Sequence, residues 1–491
     1  MSLNKKLFIF ICVFLFFFSV YSASFSRNMS YNAGDIYRYS LFVEGKIKDV
    51  YVFGHVAWIP VSKFIYGIIK SAGYNFRSLE LMTFLNILLT SLSASVLFVF
   101  LAEVTSSVVI SFLLCCLVFF SFGFWFHATG PRLYGGAYLG FIGSLYYCYK
   151  YSERVNPFLL AIINSASVLF NLFNVFTVIP SMIYINLYHE KLSLRFLKNL
   201  AYLSVFFVSV ISGYYFSGCI NLYDLFCSHI IRNIISFKVY AVNYVCLFIG
   251  GWLKPFSDIY DFIILFVIIL IFILSILNFN KLIKERLYLS VIISFFVLFI
   301  FIWKTDPHNV YSSIIFIPAA IALGVSTRIN GDKYKYFKYL MSFLLIFLLI
   351  IQMKQTIKTT VYGRTLNDDV YYELYINNKD ILNLKNTLIF ADDIGYGYLK
   401  YYYDADVISL SDIKRDLSSE RFINDLNLLV KNKSKKYLYI NVIYAHNDSA
   451  IKKIIELISE YKYHQIIKRE IKYFTGNGEK ESVFLYKYER K

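Results

Sequence analysis

Charge is what this sequence lacks. Only 16% of its 491 residues are Asp, Glu, Lys or Arg, while 58% are hydrophobic and 20% aromatic. A soluble chain carries about 25% charged residues. Too few remain here to clothe a globule, which excludes a soluble enzyme, a coiled coil and a disordered scaffold as accounts of the whole chain. Proline is scarce as well, at 7 residues, beside abundant Phe, Ile, Tyr, Lys and Asn. That balance suits an AT-rich coding sequence and explains much of the Lys and Tyr without function. The 7 cysteines lie mostly inside apolar runs, none follows Cys246, and no C-x-x-C occurs. No disulfide framework can therefore hold the C-terminal part, although a Cys219–Cys227 bridge within one loop stays open. There is no P-loop, no H-E-x-x-H, no G-x-S-x-G, no paired Cys/His ligand set, no internal repeat and no low-complexity linker.

What is present is apolar. A bilayer crossing needs about 20 such residues, and candidate runs lie near 7–23, 79–101, 108–126, 133–149, 199–216, 260–279, 287–303, 311–327 and 338–353. Pro157–Tyr188 is too long for one upright helix and barely enough for two. Asn171 and Asn174 near its centre favour a short broken pair, which brings the total to eleven crossings. Lys5 and Lys6 precede the first run and place the N-terminus in the cytoplasm. Lys150/Arg154, Lys191/Arg195/Lys198, Lys281/Lys284/Arg286 and Arg328/Lys333/Lys335/Lys338 then all fall inside, provided Pro157–Tyr188 crosses twice. The tail lies outside on that count, and a single crossing would flip it inward. The net charge of +17 is thus a positive-inside signature, not a footprint for nucleic acid. Residues 1–23 could also be read as a signal peptide ending at Ser22-Ala23-Ser24, but the bulky Phe run favours a retained helix.

From residue 354 onward 42 of 138 residues are charged, against 39 of the first 353. The sequence therefore predicts a membrane domain over 1–353, with an outer loop at 24–78, and a soluble exoplasmic domain over 354–491. In the tail, strands are expected at Thr387–Ala391, Val407–Leu410, Tyr437–Ile443, Ile466–Phe474 and Val483–Tyr488. Helices are expected at Ile394–Tyr403, Ser418–Lys431 and Ser449–Tyr461. The fold class is a polytopic α-helical bundle with a C-terminal α/β domain. Asp404-Ala405-Asp406 matches the D-x-D that some transferases use for a metal-bound nucleotide, but a polar turn between helix and strand suits it better. The segment 217–258 is mixed, with a re-entrant or interfacial stretch expected around Val242–Leu253.

Chemistry-bearing residues gather at the outward ends of the spans. Asp35 lies about ten residues beyond the first run, where it could also be an ordinary turn or cap residue. Phe53-Gly54-His55-Val56-Ala57-Trp58-Ile59-Pro60 then enters an amphipathic run to Ile69, suited to the interface with Lys63 and Lys70 toward water. A second corner reads Gly123-Phe124-Trp125-Phe126-His127-Ala128-Thr129-Gly130-Pro131-Arg132-Leu133-Tyr134, and a third Lys304-Thr305-Asp306-Pro307-His308-Asn309-Val310-Tyr311. Interfacial anchoring accounts for their Arg, Lys and Trp. Equally, cations there could neutralise a lipid-linked phosphate while one carboxylate accepts a hydroxyl proton. Asn164, Asn171 and Asn174 share a helix face and fit interhelical hydrogen bonding.

In their order, these pieces resemble the GT-C superfamily of membrane glycosyltransferases, which take sugars from polyprenyl-phosphate carriers. The matching pieces are Asp35 after span one, Gly54 to Pro60 entering an interfacial helix, and the Gly-Phe-Trp-Phe corner leading to Tyr134. Asn309 to Pro318 late in the bundle and Thr177-Val178-Ile179-Pro180 complete the set. The layout and size are similar to bacterial serotype-converting glucosyltransferases. The resemblance implies a polyprenyl-phosphate-linked sugar as donor and a glycan acceptor, with surface polysaccharide preferred. It implies Asp35 as general base, Arg132, Lys304 and His308 on the donor phosphate, and His55, Trp58, His127, Tyr134 and Tyr311 around the substrate. It also implies residence in a bacterial inner membrane. Relatives often carry acids at the corner where this chain has Gly130-Pro131-Arg132, so no cofactor is certain and a divalent cation stays open. A polysaccharide polymerase would have to rely on His229, Arg232 and Lys238. A transporter should show repeat halves and ionisable residues deep in the spans, which are lacking.

Overall fold

The computed structural model describes residues 3–25, 35–47, 56–131, 134–151, 154–188, 191–216, 259–305, 314–334, 336–360, 387–391, 393–403, 407–409, 437–442, 463–474 and 480–490. The chain divides into two compact units. One comprises Met1–Phe25 and Tyr51–Tyr362, the other Ser26–Val50 and Gly363–Lys491. The expected features at Val242–Leu253, Cys219/Cys227, Asp404–Asp406, Ser418–Lys431 and Ser449–Tyr461 lie outside the described residues.

The first unit is a helical membrane bundle. Asn4–Ala23, Ser78–Thr105, Leu192–Phe216 and Phe337–Lys354 are each long and apolar enough to cross a bilayer. Helix α1 (Leu3–Ala23) packs on α4 (Ser78–Thr105), and α4 packs on α7 (Tyr134–Tyr151). Beyond α7 come α8 (Pro157–Phe170) and α10 (Leu192–Phe216). Helix α4 is apolar on every side because it runs through the core, burying Met82, Ile87, Leu97, Phe98, Phe100 and Leu101. Outer helices instead present Phe8 and Leu15 of α1 and Phe207 and Val208 of α10, as a lipid-facing surface would. Lys6 near the start of α1 and Lys150 near the end of α7 converge on Glu103 near the end of α4, at 2.5 and 3.4 Å. Those three helix ends therefore share one end of the bundle.

Two expected spans are broken. The run 108–126 divides into α5 (Val108–Phe119) and α6 (Phe122–Ala128), bent by 70°. Ser121 is extended at the break, its hydroxyl donating to the Val118 carbonyl at 2.7 Å while Phe120 N–H reaches Cys116 O at 2.8 Å. Pro157–Tyr188 forms α8, a 3₁₀ turn over Leu172–Thr177 and α9 (Val178–Tyr188). Asn156 caps α8 by accepting from Phe158 N–H at 2.9 Å, with Pro157 in the first turn. The remaining helices of this unit include α3 (Trp58–Ser71), α11 (Ile259–Ser275), α12 (Arg286–Thr305), α13 (Phe316–Lys333) and α14 (Phe337–Thr360).

In the second unit, α2 (Asp35–Val43) joins β1 (Thr387–Ala391), α15 (Asp393–Tyr403), β2 (Val407–Ser409), β3 (Tyr437–Val442), β4 (Tyr463–Phe474) and β5 (Lys480–Arg490). The sheet order is β2-β1-β3-β5-β4. Strand β1 is parallel to both its neighbours, and its five residues are all buried, as a continuously apolar central strand requires. Strands β3, β5 and β4 are antiparallel, with a bulge between Gln465 and Ile467. The last two strands run longer than the expected Ile466–Phe474 and Val483–Tyr488, over Tyr463–Phe474 and Lys480–Arg490.

Candidate active site

The corner between α6 and α7 is held from α4. Asn86 donates from Nδ2 to the carbonyls of His127 at 2.5 Å and Gly130 at 3.0 Å, and its Oδ1 accepts from Gly135 N–H at 2.9 Å. One buried amide thus closes off the end of α6, the turn and the head of α7. These backbone groups have left helical pairing and lie in a dry interior, so each needs a partner. Thr129 and Gly130 finish α6 through bonds to Trp125 O and His127 O, and Pro131 cannot continue the ladder.

The rings of this corner interlock. His127 is buried, its ring 4.0 Å from Tyr134 and 5.6 Å from Phe126. Tyr134 stacks along its own helix on Tyr138 at 6.1 Å, and Tyr138 meets Phe124 at 4.2 Å. The indole of Trp125 donates to Ser24 Oγ at 2.8 Å, which ties the end of α1 to the same corner.

Glycines let the neighbouring helices close in. A Cβ on Gly135 would lie 2.8–2.9 Å from Leu89 and the backbone of Asn86 and Thr90. One on Gly136 would lie 2.7–2.9 Å from the Phe170 ring, and one on Gly140 2.6 Å from Ser167 Cβ. Gly136 and Gly140 therefore form a small-xxx-small face against α8. Ser167 and Asn174 both donate to Ala137 O at 2.9 Å and lock that face.

Trp58 lies beyond Phe170. It is fully buried in the first turn of α3, its ring 6.3 Å from Phe170, and Ala57 N–H donates to Leu169 O at 2.9 Å. The indole N–H of Trp58 and the hydroxyl of Ser62 one turn later are both buried without a hydrogen-bond partner among the described residues. Native structures leave few such groups, and they point to a missing polar partner. Along α3, Val61, Phe64 and Ile68 are exposed together with Lys63 and Lys70, so its outward face is mixed.

Of the residues singled out in the sequence, His127 and Tyr134 come into ring contact, and Trp58 connects to them through Phe170 and Gly136. Asp35 opens α2 in the other unit, and Lys304 falls in the last turn of α12. His55, Arg132, His308 and Tyr311 lie outside the described residues. The reading from sequence passed over Asn86, Ser62 and the glycines of α7, although Gly136-x-x-x-Gly140 is a legible packing signal. A divalent cation would want several oxygen ligands. The corner from Phe122 to Tyr138 contains no carboxylate, and among the described residues no group of three or more His, Cys, Asp or Glu converges. These residues do not fit a cation, and no step below uses one.

The fold is that of a helical, multi-pass membrane protein. Among solved structures it is similar to the crystal structure of the Archaeoglobus fulgidus oligosaccharyltransferase in the apo form, with a TM-score of 0.54 and 11% sequence identity, covering 98% of this chain and 74% of that one. No protein-family model matches the chain, and no curated protein does.

Proposed function

We propose that this chain is an integral-membrane glycosyltransferase that moves a sugar from a polyprenyl-phosphate carrier to a glycan acceptor outside a bacterial inner membrane, with surface polysaccharide as the acceptor. The likeness of fold to an oligosaccharyltransferase over 98% of the chain carries this reading. The Trp58 N–H and Ser62 hydroxyl, which have no hydrogen-bond partner among the described residues, support it, because sugar hydroxyls are suited to pair with both. The Lys6–Glu103–Lys150 cluster supports the sidedness of this reading. The positive-inside rule makes that end cytoplasmic, so the opposite corner of Asn86, His127 and Tyr134 faces outward. An eleven-span count with an exoplasmic tail agrees with this sidedness.

The chemistry is a single displacement. Asp35 accepts the proton of the acceptor hydroxyl as its oxygen attacks the anomeric carbon, and the sugar–phosphate bond breaks with its electron pair leaving on phosphate. Configuration inverts. A positioned base contributes about 10²–10⁴-fold. Arg132, Lys304 and His308 neutralise the charge that gathers on the departing phosphate, where fixed cations act most strongly in the transition state. His55, Trp58, His127, Tyr134 and Tyr311 line the sugar.

The test is mass spectrometry of surface glycans from cells expressing the wild type or Asp35→Asn at equal membrane levels. A hexose-sized gain that the mutation abolishes is expected. A gain that survives the mutation moves the base elsewhere, and no gain from either chain, in a host with its own carrier and acceptor, overturns the transferase.

A further inference from the structure

Helix α2 has only nine residues, and isolated helices below about 12–15 residues are marginal in water. Its stability must come from packing. What it packs on is α15 of the same unit, which follows directly from the buried strand β1. Tyr37 is fully buried, with Tyr398, Tyr401 and Tyr402 around it at ring separations of 5.7, 6.2 and 6.2 Å. The Arg38 guanidinium sits 5.2 Å from the centre of the Tyr396 ring, and Lys46 Nζ sits 5.7 Å from that of Tyr401. Tyr398 and Tyr402 brace each other at 4.8 Å. Tyr37 is two residues from Asp35, so whatever fixes its ring fixes the start of the helix that Asp35 opens.

We propose that α15 is the positioning element for Asp35, with Tyr398 and Tyr401 as positioning residues acting through Tyr37. The inference rests on Asp35 being the base, and it gives the C-terminal α/β unit a task in the chemical step. Edge-to-face aromatic contacts suit the purpose because they fix ring orientation as well as bury area. Three rings of one helix thus pack on the Tyr37 ring, two residues into α2.

Full-length chain in membranes is assayed with polyprenyl-phosphate glucose as donor and host membranes as acceptor, alongside amide hydrogen exchange. Tyr398→Ala is expected to speed exchange across residues 36–43 while leaving β3 and β5 protected. It should lower kcat about 10–100-fold, the scale of a misplaced catalytic group, with the donor KM within about threefold of wild type. Tyr398→Phe, which keeps the ring in contact with Tyr37, should restore both. Should Tyr398→Ala fail to accumulate, Tyr37→Leu perturbs the same contact from the other side. Faster exchange with unchanged kcat would overturn the inference while Asp35→Asn still abolishes turnover. So would unchanged exchange in α2. An active Asp35→Asn, or a wild type that turns over no donor, removes the base or the transferase reading and this inference with it.

Discussion

Replacing Asn86 by Leu removes a set of bonds whose number and geometry are known. Leu keeps the branched outline of the side chain, but the Gly130 carbonyl and the Gly135 N–H lose the amide, and the His127 carbonyl is left with the Gly130 N–H at 3.4 Å. Hydrogen bonds between membrane helices contribute about 0.6 kcal/mol on average, and soluble cores give roughly 0.5–1.5 kcal/mol each. The three bonds of 3.0 Å or less then sum to roughly 2–4 kcal/mol, which corresponds to a fall of about 2–4 °C in Tm for a chain of this size. Thermal unfolding in a mild detergent reads it, with Ser91→Ala as control. Among the described residues the Ser91 hydroxyl donates only to Ile87 O in its own helix, at 2.8 Å, and its loss should shift Tm by about 0.5 °C or less. A Tm for Asn86→Leu equal to that of the control would refute the claim that this amide holds the corner.

Other consequences are as direct. Gly140→Val should cost about 1–3 kcal/mol by overpacking against Ser167, whereas Gly143→Ala, with nothing within 4 Å of its added Cβ, should be neutral in the same melt. Glu103→Gln separates Lys6 and Lys150 from their shared partner at partly exposed positions. Its cost should be about 1 kcal/mol or less and should shrink further in high salt. In a variant lacking native cysteines, Gly73→Cys should react with a membrane-impermeant maleimide in intact spheroplasts, and Lys150→Cys only after permeabilisation. The reverse pattern would invert the topology.

Much of the bundle was legible because crossing a bilayer demands an unbroken apolar length, and apolar length is what a sequence displays. The tail strands were legible for a related reason, Thr387–Ala391 being a short apolar run between polar neighbours. The 70° bend after Phe119 was not, since neither Pro nor Gly marks it and a serine hydroxyl turning back on Val118 does the work. Asn86 shows only as one amide in an apolar helix. Its partners lie 41 to 49 residues further on and are backbone groups, which no side-chain pattern can announce. Charge density marks a boundary near residue 353, yet it cannot reveal that residues 26–50 pack with the tail, because that association is made by contacts remote in sequence.

That last association also orders events during synthesis. Ser26–Val50 emerges early, but its companions in the same unit begin only at Gly363, after the 312 residues from 51 to 362 have been made. At roughly 5–20 residues per second the ribosome takes about 15–60 s to bridge that gap. Throughout it, α2 has none of the tyrosines that support it, and the helix opened by Asp35 waits for its final surroundings. A chain arrested between Tyr362 and α15 would carry the whole bundle yet leave α2 without the helix it packs on.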